Sequence, residues 1–148
     1  MLSFGRISLK AARPALIPAE PKTLGEHLRK RRIELGLRQQ DAGKRLGVGE
    51  STVCAWERGI WPPDRYWPRI VDFLGYSPQP QPRTLGEQLV ATRRARGLSR
   101  QRAAVVMGVD EGTLFRYESG ERKPTTARSR YLVDRFLSLP KRGDHERN

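Results

Sequence analysis

Apolar residues recur along two stretches of the chain at the spacing of a helix with one buried face. Leu24, Leu28 and Leu35 are separated by four and seven residues, and Leu85 and Leu89 repeat the start of this series. Side chains at this spacing lie on one face of an α-helix. Each stretch is therefore predicted to begin with a helix that packs through its leucine face.

Glycines punctuate the pattern that follows. Gly36 and Gly97 are predicted to end the first helices, because glycine readily takes the left-handed conformation that closes a helix. A second helix then runs to about Leu46 or Met107, and Ser99 is a better N-cap for it than the equivalent Arg38. Three-residue turns and a third helix follow, the turns being residues 47–49 and 108–110. After Pro63 and Pro124, a final helix is predicted to carry Ile70, Phe73 and Leu74 in one stretch and Leu132, Val133, Phe136 and Leu137 in the other.

The two stretches are copies of one sequence. "TLGEHLRKRRIELGLRQQDAGKRLGVGESTVCAWERGIWPP" (23–63) aligns without a gap with "TLGEQLVATRRARGLSRQRAAVVMGVDEGTLFRYESGERKP" (84–124), with 17 identities in 41 positions. Two copies are too few for a solenoid. The repeat instead predicts two small tandem domains.

The flanking segments complete the predicted organisation. "YSPQPQPRT" favours an extended polyproline conformation and would act as a short, semi-rigid spacer. The predicted parts are a basic flexible arm (1–22), a first domain (23–76), a proline-rich linker (77–83), a second domain (84–140) and a disordered tail (141–148).

The net charge of the chain indicates which kind of molecule it binds. The chain has 148 residues, with 29 Lys and Arg against 16 Asp and Glu, for a formal net charge of +13. This excess favours polyanions, nucleic acid first and anionic membrane surfaces second. No apolar run approaches the roughly 18 residues of a membrane span. The lone cysteine and the lack of an export signal lead us to expect a cytoplasmic, nucleoid-associated protein.

The segments "LGLRQQDAGKRLGVGESTVCAWERG" and "RGLSRQRAAVVMGVDEGTLFRYESG" each predict two short helices joined by a glycine-containing turn, which is the helix-turn-helix arrangement. Both resemble the phage repressor and Cro-type family, also called the xenobiotic-response-element or lambda-repressor-like family. The resemblance implies an all-α fold, with two tandem helix-turn-helix domains of four to five short helices each, whose third helix enters the DNA major groove.

Given that resemblance, the first turn and outward face of the third helix supply the candidate base contacts. These are Glu50, Ser51, Thr52 and Ala55 in the first copy, and Glu111, Gly112, Thr113 and Arg116 in the second. Arg116 is the most informative, because arginine can bond guanine O6 and N7 with two hydrogen bonds. The glutamates either accept from cytosine N4 or only complement the helix dipole.

Other candidates would contact the phosphate backbone. The family uses a glutamine at the start of the second helix for this purpose, which implies the role for Gln39, and Arg100 replaces it in the second copy. Further phosphate candidates are Lys44, Arg45, Arg58 and Lys123. Such contacts position a protein on DNA without specifying sequence.

Two recurring pairs have structural interpretations. Trp56 and Tyr117 follow Val53 and Leu114 by three residues, which places them on the buried face of the third helix rather than in a base stack. The resemblance also implies an ion pair from the first to the third helix, Arg32 with Glu57 and Arg93 with Glu118. A carboxylate at a helix C-terminus is unfavourable for the dipole and calls for a cation.

"IWPPDRYWP" (60–68) adds a cluster of aromatic residues. It either packs the loop and last helix, or forms an apolar surface around Trp61 and Trp67 that docks the other repeat, a second chain or another protein.

These features favour a bacterial or phage-derived, sequence-specific regulator of double-stranded DNA, either a repressor or an activator, that covers two adjacent half-sites. The alternatives are an antitoxin-like or adapter module that binds protein, and a non-specific nucleic-acid binder. A single repeat reading DNA also stays open. No enzyme is expected, because one Cys and two distant His form neither a nucleophile triad nor a zinc site, and no cofactor motif is present.

Overall fold

The structure is a computed structural model that describes residues 19–140, so most of the predicted N-terminal arm and the whole predicted tail lie outside the described residues. Within 19–140 the chain is all-helical, with eight α-helices, one 3-10 turn and no strand. The helices are α1 (Leu24–Glu34), α2 (Gln39–Leu46), α3 (Glu50–Glu57), α4 (Trp67–Leu74), α5 (Leu85–Ala95), α6 (Arg100–Met107), α7 (Glu111–Ser119) and α8 (Ala127–Ser138). The 3-10 turn is Asp64–Tyr66.

Each repeat opens with Thr-Leu-Gly-Glu, and each of the four positions has a distinct physical role. In the first copy, the Thr23 hydroxyl accepts from the Glu26 amide, and the Glu26 carboxylate accepts from the Thr23 amide, which forms a capping box. Leu24 is buried. Gly25 lies so close to α3 that a Cβ there would stand 2.5 Å from the Trp56 carbonyl oxygen. Glycine is thus required for the approach of two backbones.

The helix ends agree with the predictions from glycine and capping residues. Gly36 and Gly97, predicted to end the first helices, follow α1 and α5 with positive φ angles of 68° and 66°, and Gly47 and Gly108 end α2 and α6 at 72° and 83°. Ser99 accepts from the Arg102 amide at the start of α6, whereas Arg38 makes no such bond at α2. The three-residue turns between second and third helices are therefore confirmed in both repeats.

Within the described residues, the chain divides into two units: unit 1 is 19–61 with 72–78, and unit 2 is 62–71 with 79–140. The division falls within α4. In unit 1, α3 packs against α1 and α2; in unit 2, α7 packs against α5 and α6, and α8 packs against the same two helices. No helix among the described residues is long and apolar enough to cross a membrane.

Equivalent positions form the buried centre of each unit. In unit 1 these are Leu24, Leu28, Ala42, Leu46, Val53, Trp56, Phe73 and Leu74. In unit 2 the cluster is Leu89, Ala103, Ala104, Met107, Leu114, Tyr117, Val133 and Phe136. The prediction that Trp56 and Tyr117 are core residues is confirmed, since both are buried.

The aromatic segment 60–68 contains both buried and exposed residues. Trp67 is only 4% exposed, and its ring lies under the Arg94 guanidinium within unit 2 at 5.7 Å. Ile60 and Trp61, in unit 1, are 63% and 50% exposed. Trp67 is therefore a packing residue, and the exposed apolar part of the segment is limited to its beginning.

Candidate nucleic-acid interface

The outward face of α3 is small and polar. Val53 and Trp56 are buried beneath it, whereas Glu50 and Ser51 are exposed in its first turn. Thr52 and Ala55, both predicted to face DNA, are half-buried, and Arg58 is exposed immediately after the helix. The predicted base-contacting residues of the first repeat thus lie along α3, and Ser51, Thr52 and Ala55 have short side chains.

The equivalent face of α7 is larger and carries a cation. Leu114 and Tyr117 are buried beneath it, whereas Glu111, Gly112 and Arg116 are exposed.

Asp110 caps α7. One Asp110 carboxylate oxygen accepts from the Thr113 amide at 2.8 Å, and the other accepts from the Thr113 hydroxyl at 2.5 Å. These bonds lower the pKa of Asp110. The hydroxyl of Thr113, a predicted DNA contact, is therefore already engaged with the cap.

Beneath α3, a buried carboxylate connects all three helices of the first repeat. Arg32 of α1 donates twice to Glu57, at 2.5 and 3.0 Å, and also to the Leu37 carbonyl at 3.1 Å. Gln39, at the start of α2, donates to the same carboxylate at 3.0 Å. The predicted Arg32–Glu57 pair is confirmed, and Gln39 has a structural contact in addition to its predicted phosphate contact.

The second repeat builds the same cluster with one more charge. Arg93 of α5 donates to Glu118 at 2.6 Å, and Arg100, in place of Gln39, donates to Glu118 at 3.0 Å. Glu118 therefore faces two cations, and both it and Arg93 are buried.

Asp64 supplies a second carboxylate to this cluster. It accepts from Arg93 at 2.6 Å and from Arg94 at 3.0 Å, all within unit 2. Burial by itself lowers the pKa of Arg93, but the hydrogen bonds and charges of Glu118 and Asp64 outweigh burial and raise it. No local pattern points to Asp64, because it lies 29 residues before Arg93 in the chain.

The arrangement is thus repeated: a capped first helix, a buried carboxylate, and a short second and third helix joined by a glycine turn. A family model described as a helix-turn-helix domain matches residues 23–83 and again 84–148. The chain belongs to this helix-turn-helix family. No curated protein and no solved structure matches it. Helix-turn-helix domains imply binding to DNA.

The remaining predicted phosphate contacts lie at helix ends and in a loop of the helix-turn-helix domains. Lys44 and Arg45 are exposed in the last turn of α2. Lys123 is exposed in the segment between α7 and α8. All three are accessible to solvent, as a contact with a phosphate requires.

Phe115 is a residue that the sequence reasoning missed. It is exposed on α7 beside Arg116, and the Arg100 guanidinium lies 5.1 Å from its ring centroid. Its place three residues after Gly112 and four after Glu111 was a usable signal, because those residues share a helix face with it.

The side chains that could suggest other chemistry are scattered. His27 of α1 bonds the Tyr76 hydroxyl through Nδ1 at 2.6 Å, and burial lowers its pKa. Cys54 is a half-buried free thiol on α3. In the described part of the chain, no group of His, Cys, Asp or Glu could hold a metal ion.

Proposed function

We propose that the protein is a sequence-specific regulator that binds double-stranded DNA, with α3 and α7 entering the major groove. The observation that carries the proposal is the division of both helices into a buried face and a solvent-exposed face within a helix-turn-helix frame. A helix exposed in this way fits the major groove, where each base pair presents a distinct pattern of donors and acceptors. No catalytic step is part of this function.

The finer assignment is to the phage repressor type of helix-turn-helix domain, in a nucleoid-associated regulator of a bacterial or phage-derived system. Its support is the second-helix residue that bonds the third helix: Gln39 with Glu57, and Arg100 with Glu118. These bonds fix the start of the second helix against the end of the reading helix, where DNA backbone would pass.

The residues assigned to bases are those of the two outward faces. They are Glu50, Ser51, Thr52 and Ala55 on α3, and Glu111, Gly112, Thr113 and Arg116 on α7. Arg116 is assigned to a guanine. The residues assigned to phosphates are Gln39, Lys44, Arg45, Arg58, Arg100 and Lys123.

Two DNA-binding domains on one chain increase the affinity of the protein for DNA. A single domain of this size contacts few base pairs, whereas a short tether such as the proposed linker 77–83 raises the effective concentration of the second domain to about the millimolar range. Binding by both domains is then stronger than binding by either alone.

The test is selection from a random duplex pool at physiological salt, with wild type, Arg116→Ala and the control Arg128→Ala. Both arginines are exposed in unit 2, but only Arg116 lies on α7. We expect a bipartite motif that loses one guanine position in Arg116→Ala and is unchanged in Arg128→Ala. Absence of any enriched motif with wild type would overturn the proposal.

One observation favours a second function, an antitoxin-like or adapter role in protein binding. Ile60 leaves 63% of its surface exposed beside the half-exposed Trp61. Ile60→Ser tests this function against Tyr131→Ser, because Tyr131 is equally exposed at 63%. Loss of self-association in sedimentation with Ile60→Ser alone, at unchanged DNA affinity, would support the protein-binding role.

A further inference from the structure

Phe115 is an aromatic residue exposed at the centre of the reading helix of unit 2. It leaves 44% of its surface accessible, although it lies one position from the buried Leu114. The equivalent residue of the first repeat is Cys54, which is smaller and half-buried. The second repeat therefore presents a large apolar surface where the first does not.

Arg100 holds the Phe115 ring in place. Arg100 stacks its guanidinium over the ring at 5.1 Å from the centroid, while its Nε donates to Glu118 at 3.0 Å. Glu118 is in turn fixed by the buried Arg93. A continuous series of contacts thus runs from the core of unit 2 to an exposed ring, and a ring held in this way loses little freedom when it binds.

Two arginines and one glutamate lie near the ring, in space or along the chain. Side chains on a helix lean toward its N-terminus, so Phe115 covers the turn that contains Glu111 and Gly112. Gly112 has no side chain to cover the ring. Arg116 is exposed next to Phe115 in the chain. An apolar ring that carries Arg100 on one face, with the exposed Arg116 next to it in the chain, suits the groove of a polyanion better than an apolar protein surface.

We propose that Phe115 packs against the 5-methyl group of a thymine in the major groove, and that Arg100 is the positioning residue for its ring. This inference rests on the proposed function, since it requires α7 in the groove. The thymine methyl is the apolar group that a major groove presents, and phenylalanine is among the side chains that contact it. The second helix-turn-helix domain would then discriminate thymine by shape as well as guanine by hydrogen bonds.

The experiment replaces thymine by uracil, which removes the methyl group and leaves base pairing intact. Each thymine of the duplex selected by the wild-type chain is replaced in turn, and the affinity of wild type and Phe115→Ala is measured. Burial of one methyl group corresponds to about fourfold in affinity. We expect one position at which uracil weakens wild type about fourfold and leaves Phe115→Ala unchanged.

Tyr131→Ala is the matched control, because it removes an exposed aromatic ring from α8 of the same unit. It should keep the full uracil effect. The inference is overturned if no position is sensitive to uracil with wild type, or if Phe115→Ala keeps the same sensitivity. It is also overturned if Phe115→Ala changes only self-association, which would make the ring a protein contact. Failure to select any duplex would instead overturn the proposed function, and the inference with it.

Arg100→Gln separates positioning from folding. Gln39 bonds Glu57 at 3.0 Å in the first repeat, so glutamine at position 100 keeps a partner for Glu118 but removes the guanidinium from the ring. We expect an unchanged melting temperature and a uracil effect reduced to about twofold. A full uracil effect in Arg100→Gln would remove the positioning role.

Discussion

At the scale of single residues, the two buried glutamates show how one position is adapted to two environments. Glu57 pairs with Arg32 and the neutral Gln39, whereas Glu118 pairs with Arg93 and Arg100. Arg100 in place of Gln39 adds a positive charge to the cluster. Asp64 adds a negative charge that balances it, through a salt bridge to Arg93. The second repeat thus keeps the geometry of the first with a different balance of charge.

This difference predicts unequal costs for the same substitution. Glu57→Gln leaves Arg32 with no carboxylate partner among residues 19–140, and breaking a buried pair in this way costs about 3 kcal/mol. Glu118→Gln leaves the buried Arg93 with Asp64, and Arg100, which also loses its carboxylate partner, is 36% exposed to water, so the substitution should cost less. Hydrogen exchange resolved by helix measures the two losses separately, in α1–α3 and in α5–α8.

Asp41→Asn is the control for that comparison. It removes the partner of Arg38 in an exposed pair, and exposed pairs contribute little. Exchange rates in α1–α3 should be unchanged. Equal losses for Glu57→Gln and Glu118→Gln would contradict the assigned role of Asp64.

At the scale of elements, the two reading helices differ in how they begin. Asp110 caps α7 through two hydrogen bonds to Thr113. At the start of α3 the capping position is Gly49, which has no side chain, although Thr52 stands at the position equivalent to Thr113. Gly49 has φ −76° and ψ 163°, which any residue adopts. A Cβ there meets nothing closer than the Ser51 hydroxyl at 3.9 Å.

Gly49→Asp should therefore install in the first repeat the cap that the second one has. We expect a gain of about 0.5 kcal/mol in the stability of unit 1, from the cap and from reduced freedom of the unfolded chain. The reciprocal Asp110→Gly should destabilise α7. Urea unfolding followed by hydrogen exchange checks both, and a loss of stability in Gly49→Asp would show that the cap cannot form.

At the scale of the whole molecule, the basic side chains that contact phosphates, among those that give the net charge of +13, set how binding responds to salt. Each phosphate neutralised by a side chain adds about 0.9 to the slope of log affinity against log salt concentration. The proposed contacts of Lys44 and Arg45 are exposed at the end of α2 and would contribute two such terms.

The double substitution Lys44→Ala, Arg45→Ala should lower that slope by about 2 and weaken binding to all sequences about equally. Fluorescence anisotropy with a labelled duplex at several salt concentrations measures the slope. Arg128→Ala, on α8, is the matched control and should leave it unchanged. A change in sequence preference, rather than in slope, would reassign Lys44 or Arg45 to the bases.

The sequence by itself determined the parts of this protein that local rules control. The helices, the Ser99 cap, the glycine turns and the core positions of Trp56 and Tyr117 follow from spacing and from backbone preferences, and the structure confirms them. The internal repeat strengthened the prediction of a helix-turn-helix family, because the same pattern occurs in both copies. The Arg32–Glu57 pair was implied by the family resemblance, and the helix dipole gives the reason why a carboxylate at a helix C-terminus needs a cation.

Tertiary structure alone decided the contacts between residues that are distant along the chain. It brought Asp64 to Arg93, placed Gly25 against the backbone of α3, and stacked Arg100 on Phe115. Side-chain periodicity reports which face of a helix is buried, but not which neighbour meets it. That choice depends on how helices from separate parts of the chain pack, and the sequence does not state it at any one position.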